Sequence, residues 1–296
     1  MVPLFFVKNF LDYLTVEKRF SSHTILAYNN DLSQFIDFVD IKSQNDLKEI
    51  HSGIIRAWIV FLIDNGMDSS SVNRKLSTVR TFFKWLIREG ITDNNPMQKV
   101  TGPKNNKRLP SFAQQSELDF INTKNIFSDD FEGFRDLLMF EILYQTGIRS
   151  SELINLLDSK VFNNQIVVLG KRNKERIIPI SKDLSSLINL YRKKRKEIDV
   201  SPYYFFLLKS SKKLYPKFVY RKINSYLGKV TDLERKSPHV MRHTFATHML
   251  NNGASLEVLK EILGHSSLAA TQVYTHNSFS QLTEIYSQSH PRGDKK

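Results

Sequence analysis

Apolar residues recur at intervals of three and four through the first hundred positions. Ile25, Tyr28, Leu32, Phe35 and Val39 form one such stripe behind a cap at Ser22. Ile55 to Ile63 gives a shorter helical run that stops before Gly66, and Val72, Leu76, Val79, Phe83 and Leu86 line a third helix behind Ser70. These spacings fit a 3.6-residue period. One stripe per helix means that the helices bury themselves against each other. The period fades between Pro96 and Pro110, where Gly102, Pro103 and four basic side chains, Lys99, Lys104, Lys107 and Arg108, mark an interdomain linker. It returns at Phe131 to Tyr144, a strong helix that Gly147 ends, with a short helix through Leu157 beyond. It then switches: Ile166 to Leu169 and Arg176 to Ile180 read as two strands joined by the basic turn Gly170–Glu175. Helices resume near Lys182 and run, after a short apolar stretch at Tyr203–Leu208, from about Pro216 onward. The expected organisation is a helical domain over 1–95, a linker over 96–110, a mixed domain over 111–290, and a disordered tail over 291–296.

Composition narrows the function. A 41% share of apolar residues supports a genuine core, while 43 Lys plus Arg against 30 Asp plus Glu leave a net charge of +13. Such an excess does little for a fold and much for attraction to polyanions. The polar faces of the first domain carry Arg19, Arg56, Arg74, Lys75, Arg80, Lys84 and Arg88. With Lys104, Lys107, Arg108, Arg172 and Lys174, the residues Arg74, Lys75 and Arg80 are the expected contacts to DNA phosphates. The sequence has no cysteine, which excludes disulfides, cysteine–zinc sites and thiol catalysis and suits a reducing compartment. The longest apolar run, Ala57 to Ile63, is far short of a membrane span, so no membrane insertion is expected. The apolar start, Val2 to Val7, has no basic segment before it and no small-residue cleavage pattern after it, so a signal peptide is not expected.

The chemistry concentrates near the carboxyl end. His239, Arg242, His265 and Tyr274 follow one upstream arginine, Arg149. A phosphodiester is already negative, and attack on it adds charge to the non-bridging oxygens. Arginine stays protonated and presents a fork of donors to such oxygens, so Arg149 and Arg242 are the expected grip. Pro238 suits the first turn of a helix, which puts His239 and Arg242 on one face, three residues apart. Gly264 ends one helix and Ser266 or Ser267 starts the next, so His265 sits at a sharp junction. Tyr274 is the expected nucleophile; a phenol of pKa near ~10 needs guanidinium and imidazole neighbours to react at neutral pH. The leaving alkoxide needs a proton, for which the turn offers Lys171, with Lys174 and Arg172 as rivals. Convergent carboxylates for a catalytic metal are missing from the pattern, and no His-Glu-x-x-His motif occurs, so neither a metal nor a cofactor is expected.

These segments resemble the Xer-type tyrosine recombinases of the wider phage-integrase family, over nearly the whole chain. Thr146-Gly147-Ile148-Arg149-Ser150-Ser151-Glu152-Leu153 is similar to the first arginine box, and Gly170-Lys171-Arg172-Asn173-Lys174-Glu175-Arg176 to the lysine hairpin. Pro238 to His248 is similar to the second box, Leu263-Gly264-His265-Ser266-Ser267 to the third, and Thr271 to His276 to the nucleophile segment. Ser150 and Met241 depart mildly from the usual aliphatic residues without removing a functional group. The resemblance implies a mainly α chain: a helical, SAM-like core-binding domain, then a mixed α/β catalytic domain with a small antiparallel sheet. It implies transesterification, with Tyr274 attacking the scissile phosphate and Lys171 protonating the 5′-oxygen. Arg149, Arg242 and His265 would stabilise the transition state, and His239 would manage the nucleophile's proton.

It further implies a double-stranded DNA recombination site as substrate and a tetramer, of this chain alone or with a paralogue, joined through a C-terminal helix carrying Phe279, Leu282, Ile285 and Tyr286. The same stripe would also serve to dock that helix on its own domain. Chromosome or plasmid dimer resolution, a cytoplasmic, nucleoid-associated location and contact with a septal DNA translocase complete the expectation. The start of the sequence almost directly at the core-binding helices favours this role over a mobile-element integrase. A topoisomerase of like chemistry and a non-catalytic DNA-binding protein are the remaining alternatives.

Overall fold

The computed structural model describes residues 2–105, 111–123, 126–170, 174–199, 202–264 and 276–294. The chain divides into two compact units, Met1–Arg108 and Leu109–Lys296, each with its own hydrophobic core.

The first unit is helical: α1 (Val2–Val16), α2 (Ser22–Val39), α3 (Gln44–Glu49), α4 (Ser52–Asp64) and α5 (Ser69–Arg88). Helix α2 packs on α1, α4 and α5. Its Phe35 meets Trp58 edge-on with ring centroids 4.9 Å apart, while Phe10 meets Phe82 at 5.2 Å. Full burial of such side chains contributes roughly 1.5–3 kcal/mol each. The caps fall slightly upstream of the expected serines. Ser21 accepts from the Thr24 amide, and Asp68 accepts from the Ser71 amide at 3.0 Å.

One charged cluster lies inside this unit. Asp31 on α2 accepts from Arg74, from Lys75 Nζ at 3.0 Å and from Thr78 Oγ1 at 2.9 Å, all three on α5. Burial resists ionisation of Asp31, but these donors hold its carboxyl below the ordinary 3.8. Lys75, expected on a DNA-facing surface, is therefore a buried cation tied to α2. The first part of the expected linker also belongs to this unit. Met97 and Val100 enter its core, and Asn73 Nδ2 donates to Pro103 O at 2.8 Å.

The second unit is built on α7 (Phe131–Thr146), which packs against α8 (Ser150–Ile154), α9 (Lys182–Arg195) and α11 (Pro238–Asn251). Leu138 to Tyr144 are buried without a break, as befits a helix enclosed on all sides. Helices α6 (Gln115–Thr123), α10 (Pro216–Gly228), α12 (Leu256–Leu263) and α13 (His276–Ser289) complete the shell. Strands β1 (Gln165–Leu169) and β2 (Glu175–Pro179) form an antiparallel pair, with Val167 opposite Ile177 and Leu169 opposite Glu175. Both strands fall within one residue of the expected runs. The stretch Tyr203–Leu208 forms isolated bridges, Leu157 with Tyr204 and Leu207 with Lys213, and Phe205 and Phe206 are buried. The fold is mainly α with one small antiparallel sheet, as the sequence implied.

At the carboxyl end the apolar stripe is docked on its own domain, one of the two uses expected of it. On α13, Leu282 and Tyr286 are buried in the core of their own unit, with Phe279 and Ile285 packed beside them. Residues 291–294, expected to be disordered, are anchored. Arg292 pairs with Glu141 and donates to Leu118 O at 3.0 Å, and the Asp294 carboxylate accepts from the Lys182 amide at 3.2 Å. His290 is fully buried and stacks on Tyr286 at 5.3 Å and Phe245 at 5.6 Å. The anchors are a histidine, an arginine and an aspartate, so no apolar period announces them.

Candidate active site

The site is assembled where four elements end. Helix α7 stops at Gly147, whose φ of 60° places it in the left-handed region and whose amide still bonds back to Leu143 O at 3.2 Å. A Cβ there would lie 2.4 Å from Phe245 Cδ1 and 2.9 Å from Leu263 Cδ2, so a glycine is required on steric grounds as well. The turn delivers Arg149 to the N-cap position of α8 two residues later. Glu152, three residues on, closes that turn: it accepts from the Arg149 amide at 2.8 Å and from Arg149 Nη1 at 2.9 Å. Arg149 keeps 27% of its side chain exposed, so its guanidinium is held yet open to an incoming anion.

Arg242 reaches the same place from the first turns of α11. Its Nη1 donates to Gly147 O at 2.6 Å and its Nη2 to Leu263 O at 2.7 Å. It thus ties the end of α7 to the end of α12. Burial, and after it the positive charge of Arg149, lower this guanidinium to about 10, which leaves it protonated at neutral pH. Two arginines near enough to repel each other, Arg149 held by the Glu152 carboxylate and Arg242 by two carbonyls, make a preformed anion site. His239 stands exposed at the second position of α11, three residues before Arg242.

Two further residues, with no role in the expected chemistry, hold this arrangement. Glu152 is 7% exposed and Arg176, on β2, is 6% exposed. Arg176 Nη1 and Nη2 donate to Glu152 Oε1 and Oε2 at 2.9 and 2.8 Å, and its Nε donates to Ile262 O at 2.6 Å. Burial opposes the charge on Glu152, but Arg176 first and Arg149 after it hold the carboxyl below its ordinary 4.5. The signal was present in the strand pattern: Arg176 occupies the same inward face as Ile178, where a cation demands a buried carboxylate.

The remaining expected residues are more scattered. Lys174 is exposed beside the turn, and its carbonyl accepts from the Gly170 amide at 2.7 Å. Lys104 is exposed, Arg74 is half-exposed while paired to Asp31, and Arg80 donates to Val100 O at 3.4 Å. Lys171, Arg172, His265, Tyr274, Lys107 and Arg108 lie outside the described residues. His248 is a core residue, with Nδ1 2.9 Å from Tyr144 Oη. Among the described residues no group of three or more His, Cys, Asp or Glu side chains is placed to hold a metal ion. No helix among them is long and apolar enough to cross a membrane.

Comparison with known proteins fits this geometry. Residues 112–281 match the phage integrase family, and residues 7–90 match the phage integrase N-terminal SAM-like domain. The tyrosine recombinase XerC of Thermodesulfovibrio yellowstonii is 36% identical, over 97% of this chain and 96% of its own. That of Bacillus subtilis is 33% identical, over 98% of both chains. Among solved structures, the XerH site-specific recombinase in a post-cleavage complex with a palindromic difH substrate superposes with a TM-score of 0.72. It is 22% identical, covers 89% of this chain and 79% of its own, and speaks for the fold. The chain belongs to the phage integrase family, and within it to the Xer-type tyrosine recombinases. It is a site-specific DNA recombinase, an enzyme that cuts and rejoins DNA strands.

Proposed function

We propose that this recombinase resolves chromosome or plasmid dimers by exchanging strands between two copies of one DNA site. The observation that carries the chemical reading is the pair Arg149 and Arg242, held at one helix junction by Glu152, Gly147 O and Leu263 O. A scissile phosphate seated there places its non-bridging oxygens against both guanidinium groups. The Tyr274 oxygen attacks phosphorus, the bond to the 5′-oxygen breaks, and Lys171 supplies the proton that the leaving alkoxide takes up. His239 accepts the phenolic proton, while His265 joins the two arginines in stabilising the charge that develops. The phosphotyrosine ester keeps the energy of the broken bond, so the 5′-hydroxyl of a partner strand re-forms a phosphodiester without a cofactor or a metal.

The same reading puts four subunits on two sites, identical or paired with a paralogue, and places the protein in the cytoplasm at the nucleoid, in contact with a septal DNA translocase. The stripe on α13 would pass to a neighbouring subunit only after leaving its own core. Lys104, Lys107, Arg108, Arg172, Lys174, Arg74 and Arg80 supply phosphate contacts, and Lys75 contributes through the placement of Arg74's helix. A plasmid carrying two directly repeated candidate sites tests the proposal. Conversion into two smaller circles is expected. Relaxation of supercoils without exchange would make the enzyme a topoisomerase instead.

A further inference from the structure

Glu152 answers two guanidinium groups at once, and this imbalance bears on the reaction. Its Oε1 accepts from Arg149 Nη1 and Arg176 Nη1, both at 2.9 Å, and its Oε2 from the Arg149 amide and Arg176 Nη2, both at 2.8 Å. One carboxylate between two arginines leaves the triad with one net positive charge. Arg176 is the inner member, nearly sealed from water, while Arg149 alone opens outward. Were Arg176 neutral, Glu152 would cancel Arg149, and the outer guanidinium would face the substrate as half of a closed ion pair. Arg176 is also fixed from behind: its Nε bonds to Ile262 O at 2.6 Å, and its side chain packs on Gly264, where a Cβ would lie 3.1 Å from Arg176 Cδ. Gly264 has a φ of 65°, and His265 follows it in the sequence.

We propose that Arg176 is a positioning residue for strand cleavage: by occupying Glu152 it keeps the charge of Arg149 available to the scissile phosphate. The proposal rests on the site reading above, in which Arg149 grips that phosphate. It concerns a residue that touches no DNA, because its guanidinium is spent on Glu152 and Ile262 O and is closed to solvent. A buried cation of this kind acts on the reaction only through the charge balance and orientation of its neighbours.

The test compares single-turnover cleavage of a nicked suicide duplex with an ordinary scissile phosphodiester and with a methylphosphonate at the same position. The methylphosphonate is neutral and draws less on cationic side chains. The ratio of the two cleavage rates therefore reports the charge presented to the phosphate and does not depend on how much of a variant is folded. In Arg176→Gln, which leaves the triad with Glu152 cancelling Arg149, the ratio is expected to fall at least about fivefold. Arg176→Lys and the double variant E152Q/R176Q each restore one net positive charge and should keep the ratio within about twofold of wild type. If Arg176→Gln does not fold, these two variants still test the proposal, because a deep fall in either one overturns it. An unchanged ratio in Arg176→Gln overturns the proposal, as does a fall in the lysine or double variant as deep as the one expected for glutamine. Failure of the underlying site reading looks different: wild type would then form no Tyr274-dependent adduct on either linkage.

Discussion

Gly147 shows how much can rest on one position without a side chain. It ends α7 in the left-handed region, offers its carbonyl to Arg242, and lets Phe245 and Leu263 close over the turn. Gly147→Ala meets two penalties together, a positive φ and a Cβ inside contact distance of Phe245. A loss of about 2–3 kcal/mol in unfolding free energy is expected, measured by urea denaturation of the folded enzyme. Cleavage should fall by more than the lost stability accounts for, because the carbonyl that fixes Arg242 shifts with the turn. Wild-type stability in the alanine variant would show that the junction yields more easily than its contacts imply. Arg149 and Arg242 were legible in the sequence because a pair of arginines set among histidines and a tyrosine names its own chemistry. Glu152 and Arg176 were not assigned, since their role is to balance charge between segments 24 residues apart, and pairing across that separation follows only from the fold.

At the scale of elements, apolar periodicity located the helices and strands well, because each buries one stripe or one face. Val72, Leu76, Val79, Phe83 and Leu86 on α5 are all buried as their spacing required. Lys75 breaks that rule from within the same helix, and only Asp31 on α2 explains it. The carboxyl-terminal segment was the least legible part, because His290, Arg292 and Asp294 hold it by stacking and ion pairing. That segment should respond to acid. His290 faces Tyr144, His248, Tyr286 and Phe245, and its Nδ1 accepts from the Arg292 amide at 3.1 Å. Burial, with the nearby charge of His248 adding to it, lowers the His290 imidazole from 6.5 to about 3. A depressed histidine binds fewer protons folded than unfolded, so its contribution is present above about 6.5 and is lost as pH falls toward 3. His248, lowered chiefly by burial, acts in the same direction. Melting temperature should drop between about pH 7 and about pH 5, and His290→Phe should flatten that dependence. An identical pH slope in wild type and His290→Phe would contradict this assignment.

For the whole molecule, a net charge of +13 is carried by a chain that divides into two compact units, each with its own core. The first is a helical body in which Arg74 and Lys75 hold the buried Asp31, and the second carries the guanidinium groups of Arg149 and Arg242. The central claim is that Tyr274 becomes covalently joined to the 3′ end of the cut strand through a phosphate held by Arg149 and Arg242. The most direct test incubates the purified enzyme with a nicked suicide duplex in the presence of a metal chelator and looks for a protein–DNA adduct. An adduct whose DNA-bearing peptide contains Tyr274, and which disappears in Tyr274→Phe while duplex binding persists, is the predicted result. Adduct formation or strand joining that survives in Tyr274→Phe, or cleavage that needs an added metal, would contradict the account.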